Sequence, residues 1–91
     1  MRYKLDTNYS EEERQLLTAL GCEIIAEIQL SDTRFADNET PIRMIKHGSQ
    51  YIAEITDDET DCRVWAVLSK WKGVWHFESY YDSLEILVNG I

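Results

Sequence analysis

The chain reads as an α+β fold: one N-terminal helix packed on a mostly antiparallel β-sheet, a meander of about five strands, closed by a short C-terminal helix. Three observations carry this reading. Ser10 with Glu13 three residues on forms a capping box ahead of leucines at 16, 17 and 20; alternating runs flank Gly48-Ser49 and Lys72-Gly73; and Leu84, Leu87 and Val88 follow Asp82 and Ser83 at helical spacing. With 91 residues, 44% of them apolar and ten aromatic, the chain has material for one core, so residues 1–91 are expected to form a single folded domain.

Residues 2–5 alternate and suit an edge strand. From Ser10 the hydroxyl of the cap accepts a backbone N–H, and Glu11, Glu12 and Glu13 place three carboxylates at the positive end of a helix dipole. Residues 11–20 therefore form a helix that ends at Gly21. Residues 22–30 carry two patterns at once, because Leu16, Leu20, Ile24 and Ile28 continue a spacing of four while Cys22, Ile24, Ala26, Ile28 and Leu30 alternate. Gly21 at the junction favours a strand over one helix running from Ser10 to Leu30. Residues 31–41 show no periodicity and read as a loop.

A hairpin follows, with strands at 42–47 and 50–56 around Gly48-Ser49, a connection suited to a type II′ turn. A second hairpin joins 62–70 to 74–80 around Lys72-Gly73. Counting outward from Trp71 opposite Val74 places Leu68 against Phe77, Ala66 against Ser79 and Val64 against Tyr81. One face then carries Trp65, Val67, Ser69 and Trp71 with Val74, His76, Glu78 and Tyr80. Both faces are substantially apolar, so one should pack on the helix and the other be covered or remain a contact surface.

Seventeen acidic against nine basic residues give a formal net charge of −8. That balance argues against direct nucleic-acid binding and against an anionic membrane, since each phosphate contact needs a local cation. A basic protein partner is expected instead. No run approaches the ~18 apolar residues of a membrane span, and the first residues lack the apolar stretch of a signal peptide, so a cytoplasmic location is expected. In a reducing compartment Cys22 and Cys62 should pack as small apolar side chains and leave no disulfide.

Chemistry-bearing patterns are sparse. Asp57, Asp58, Glu59 and Asp61 cluster as hard oxygen ligands would, but the sixth position from Asp57 is Cys62 and the twelfth is Leu68, where a calcium loop requires Gly and Glu. Cys22, Cys62, His47 and His76 lack the paired spacing of a zinc site. No metal, cofactor or catalytic residue is expected, and the chain is expected not to be an enzyme. The sequence Lys70-Trp71-Lys72-Gly73-Val74-Trp75-His76-Phe77 interleaves cations with rings as single-strand binders do, but in so acidic a chain core packing plus an exposed turn is the favoured reading.

The function that composition favours is a non-enzymatic protein-binding module, an inhibitor that mimics nucleic acid and occupies a basic surface of a larger nucleic-acid-binding protein. Glu11, Glu12, Glu13, Asp57, Asp58, Glu59 and Asp61 would steer the approach, and Trp65, Trp71, Trp75 or Tyr80 would supply the anchor, as a monomer or small homo-oligomer. Small acidic inhibitors that phages direct against host nucleases, anti-CRISPR proteins among them, are similar in size and charge, an analogy of composition that rests on no shared motif. Two other classes compete: an accessory subunit of a complex that uses an aromatic sheet face, and a small metal-dependent regulator built on 57–61.

Overall fold

Ser10 starts the N-terminal helix as its sequence requires. In the computed structural model, which describes residues 2–29, 34–35, 40–57 and 59–90, the Ser10 hydroxyl accepts from Glu13 N and the Glu13 carboxylate accepts from Ser10 N, both at 3.1 Å. Helix α1 runs Glu11–Ala19, Leu20 caps it, and Gly21 leaves it at φ +71°, a left-handed value that costs glycine little. The fold is α+β. Strand β1 (Arg2–Lys4) precedes α1; β2 (Glu23–Ile25), β3 (Glu27–Gln29), β4 (Arg34–Phe35), β5 (Arg43–His47), β6 (Gln50–Thr56), β7 (Arg63–Trp71) and β8 (Val74–Tyr81) follow, and α2 (Leu84–Asn89) ends the order.

The main sheet has the order β2-β5-β6-β7-β8-β4. Its pairs are antiparallel except β4 with β8, which is parallel. Both hairpins form at the turns the sequence marks. Gly48 alone has positive φ in the first, as a II′ turn needs, whereas Lys72 (φ 51°) and Gly73 (φ 79°) are both left-handed, as a I′ turn needs. Leu17, Ile45, Ile52, Trp65, Leu84, Leu87 and Val88 fill the core between one sheet face and the two helices. Met44, Ala53, Ile55, Val64, Ala66, Leu68 and Trp75 fill the other, beneath Tyr3 and Ile28 of a small β1-β3 sheet.

Residues Arg2–Lys4 form the expected edge strand, β1, paired with β3 in a separate two-stranded sheet. Four other local expectations change. The strand expected over 22–30 is two strands. Ala26 breaks it, its carbonyl accepting from Leu5 N at 2.8 Å, so β2 stays in the main sheet while β3 turns onto the opposite face. Both patterns grouped Ile24 with Ile28, and the break separates them: Cys22 and Ile24 pack on the helix side while Ile25 and Ile28 pack on the other. Within the expected loop, Arg34 and Phe35 add a parallel edge to Val74 and Trp75; positions 31–33 and 36–39 lie outside the described residues.

The second hairpin departs from simple counting at a β-bulge. Trp71↔Val74 and Leu68↔Phe77 hold as counted, but Val67 pairs with Ser79, leaving Glu78 as the extra residue, so Ala66 meets Tyr80 and Trp65 meets Tyr81. A one-residue slip exchanges faces. Tyr81 therefore packs beside Trp65 on the helix side, and Tyr80, expected there, lies on the opposite face. Both cysteines are free; Cys22 is half-buried against the core, and Cys62, expected to pack, is exposed.

A lateral row, Arg43↔Glu54↔Trp65↔Tyr81, crosses four strands on the helix side. Arg43 binds Glu54 through both oxygens, Nε at 2.9 Å and one terminal nitrogen at 2.8 Å, and Glu54 is 5% exposed. Replacing Arg43 with Met would strand that carboxylate, for which about 3–5 kcal/mol of destabilisation is expected. Urea unfolding of Arg43→Met should show that loss and Arg43→Met/Glu54→Leu should recover much of it; a single variant no less stable than an exposed-site change would contradict this account.

Candidate functional site

Strand direction decides where the charges go. Registers Arg43↔Glu54, Thr56↔Arg63 and Trp65↔Tyr81 define one end of the sheet, and the turns at Gly48 and Lys72 define the other. Helix α1 starts at the first end, where Asp6 N donates to Ile42 O at 2.9 Å and Arg43 donates to Asn8 O at 3.2 Å. The chain leaves α1 at the opposite end, since Glu23 pairs with Lys46. Helix α2 follows β8 directly and so also begins at the first end. Its cap, Ser83, accepts from Ile86 N at 3.3 Å.

The two helix starts share a shallow cleft lined by Ser10, Glu12, Glu13, Ser83 and Glu85. The β6–β7 turn lies at the same end. There Asp57 N donates to Cys62 O at 2.8 Å, Asp57 Oδ1 accepts from Glu59 N at 2.9 Å, and Asp61 sits at φ 56°. Among the described residues this end thus gathers Asp6, Glu11, Glu12, Glu13, Asp57, Glu59, Asp61, Asp82 and Glu85, against Arg14, Arg43 and Arg63. Arg43 is committed inward to Glu54 and to Glu13, 3.5 Å away. Asp58 lies outside the described residues.

The anchors named from sequence separate. Trp65 and Trp75 are core side chains, 3% and 8% exposed, whereas Trp71 and Tyr80 are 63% and 59% exposed. The exposed pair does not form one patch. Tyr80 sits opposite Ala66, two residues from Asp82 and near the acidic end, while Trp71 lies at the far turn on the other sheet face. The β7–β8 hairpin runs past its neighbour: β6 begins at Gln50, level with Ser69, so Lys70 and Trp71 have no partner residue in β6. At this end Lys46 Nζ lies over Tyr51 at 5.3 Å, Lys70 Nζ over Trp75 at 5.6 Å and Lys72 Nζ over Trp71 at 4.7 Å.

A second cleft, about 310 Å³, lies between β3 and the main sheet, floored by Met44, Tyr51 and Trp75. Its rim is balanced. Glu23 stands opposite Lys46, and Glu27 pairs with Arg2 at 3.6 Å. No three His, Cys, Asp or Glu side chains among the described residues are grouped to hold a metal ion, and no described helix is long and apolar enough to cross a membrane. Comparison of the chain with protein-family models, with curated proteins and with solved structures gives no match.

Sequence reasoning passed over Arg43 and Glu54, although both stand on the inward parity of their strands with Ile45 and Ile52. Counting outward from His47 opposite Gln50 would have paired them. Their effect reaches the acidic end through Glu13. Partial burial raises the Glu13 carboxyl, but the Ser10 N–H, the Arg43 charge and their hydrogen bonds outweigh it and hold the carboxyl below its ordinary 4.5. A depressed carboxyl stabilises the fold fully above its unfolded value and loses that contribution as pH falls through its folded value. Urea unfolding of wild type and Glu13→Gln should therefore differ at neutral pH and converge progressively as pH falls below the ordinary carboxylate range; a difference that persists in strong acid would remove Glu13 from this role.

Proposed function

We propose that the chain is a non-enzymatic binding module whose acidic end occupies a basic, nucleic-acid-binding surface of a larger protein, and so inhibits it. The observation that carries the reading is the convergence of both helix starts and the β6–β7 turn at one end of the sheet. Carboxylates on three separate segments then act together at one end of the molecule, the arrangement needed to replace a run of phosphates in a basic cleft. Asp6, Glu11, Glu12, Glu59, Asp61, Asp82 and Glu85 are the exposed members. Tyr80 is the exposed aromatic nearest to them and is the anchor in this reading; Trp65 and Trp75 serve the core.

Charge steering acts on encounter, and anchoring acts on escape. Immobilised protein should retain basic nucleic-acid-binding proteins from cell extract and release them when duplex DNA is added as competitor. Association with a captured partner should slow by about tenfold or more between low and physiological salt, and Glu11→Gln/Glu12→Gln/Glu59→Gln/Asp61→Asn should slow it similarly while leaving the melting temperature close to wild type. Association indifferent to salt, or capture that DNA does not displace, would refute the mimicry.

A further inference from the structure

The tip of the β7–β8 hairpin is a second charged surface, opposite in sign to the first. Residues 66–77 contain Lys70 and Lys72 and no Asp or Glu, within a chain of net charge −8. The fold brings Lys46 and His47, at the end of β5, to the same end of the sheet. Among the described residues the only carboxylate that strand register places there is Glu23, opposite Lys46. Trp71, the most exposed large apolar side chain among the described residues, stands at this tip. Its ring has Lys72 Nζ at 4.7 Å and the His76 ring at 6.1 Å, and its exposure leaves stacking area open.

We infer that this tip binds single-stranded nucleic acid, with a base stacked on Trp71 and the flanking phosphates against Lys70 and Lys72. Stacking on one aromatic plane beside cations is sufficient for a nucleobase and carries no sequence requirement. A protein hot spot would need surrounding contacts that exclude water, but Lys70, Lys72 and Gly73, the chain neighbours of Trp71 in the turn, are all exposed. An anionic membrane fits less well too, because one exposed ring and two or three lysines supply little of the two-signal attachment that stable membrane binding takes.

The overall negative charge opposes this less than it first suggests. Along β7 the acidic end and Trp71 are about 27 Å apart, roughly three screening lengths at physiological salt. At that separation the local sign governs a contact. The inference is independent of the function proposed above, since it uses none of the carboxylates.

The test is fluorescence anisotropy of a labelled oligothymidine of about eight nucleotides, long enough to cover a stacking site and its flanking phosphates. Wild type should bind with a salt slope of about −1.4, two phosphates' worth. Trp71→Ala should weaken binding about tenfold or more and Trp71→Phe much less, while Glu11→Gln/Glu12→Gln should not weaken it. Lys72→Gly, which suits the left-handed turn position, should flatten the slope by about 0.7. Thermal melts of the two Trp71 variants should match wild type, because the ring lies outside both cores. No anisotropy change up to about millimolar protein, equal binding by Trp71→Ala, or Trp71-dependent capture by anionic phospholipid vesicles without oligonucleotide binding would overturn the inference.

Discussion

Arg43 holds the acidic end of the molecule together. Its five N–H donors are all used: Nε and one terminal hydrogen on Glu54, the remainder on Asn8 O and the two Glu13 oxygens. The guanidinium also lies over the rings of Tyr9, at 4.6 Å, and Trp65, at 5.2 Å. A buried ion pair is expensive to desolvate and is weak evidence for stability in itself. What it contributes here is uniqueness. Only one register of β5 against β6, and one placement of the segment before α1, satisfies every donor, so a single side chain fixes a hairpin, a loop and a helix start together. The Glu54 carboxylate holds the Arg43 ionisation above its ordinary range, and burial pushes the Tyr9 phenol up to about 12, so the arginine stays charged and the tyrosine neutral.

Those parts of the fold governed by short-range chemistry were legible in the sequence. Capping by Ser10 and Ser83, the two hairpin turns and the helical spacing of Leu84, Leu87 and Val88 depend on residues within a few positions of one another. The departures depend on distant partners. Nothing near Ala26 marks a strand break; it arises because Leu5 bonds to its carbonyl and draws β3 onto the other sheet face. The bulge at Glu78 is equally silent locally, and it decides which of two adjacent tyrosines is inside. Burial of Trp65 and Trp75 was hidden for the same reason, since an alternating strand gives the two faces of a hairpin but not what covers each. Arg43 and Glu54 differ: opposite charges on inward positions, paired by a countable turn, were readable and were passed over.

Charge accumulation at one end has local causes that compound. Carboxylates in a first helical turn oppose the helix dipole, which accounts for Glu11, Glu12, Glu13 and Glu85. Asp57 closes its own turn through a backbone N–H, and Asp6 does the same for Asn8 at 2.8 Å. Each position therefore has a structural duty, and none of these duties requires the others to be nearby. Topology makes them neighbours: α1 must start where Arg43 can reach Glu13, and α2 must start where β8 ends. A front of one sign follows from helices that begin at the same edge of a sheet.

The opposite tip contributes little to the fold that created it. Lys72 occupies a left-handed conformation, which costs a non-glycine residue about 1–2 kcal/mol, and an exposed cation over Trp71 returns about 0.5–1 kcal/mol. These terms nearly offset each other, so the projecting turn neither stabilises nor burdens the core. Neither hydrophobic cluster includes Trp71. Its placement leaves a large ring in water, beside lysines, at the furthest reach of an otherwise acidic molecule, and packing supplies no reason for it. The sheet acts as a rigid spacer between this ring and the carboxylates, which makes net charge a poor guide to what either end can touch.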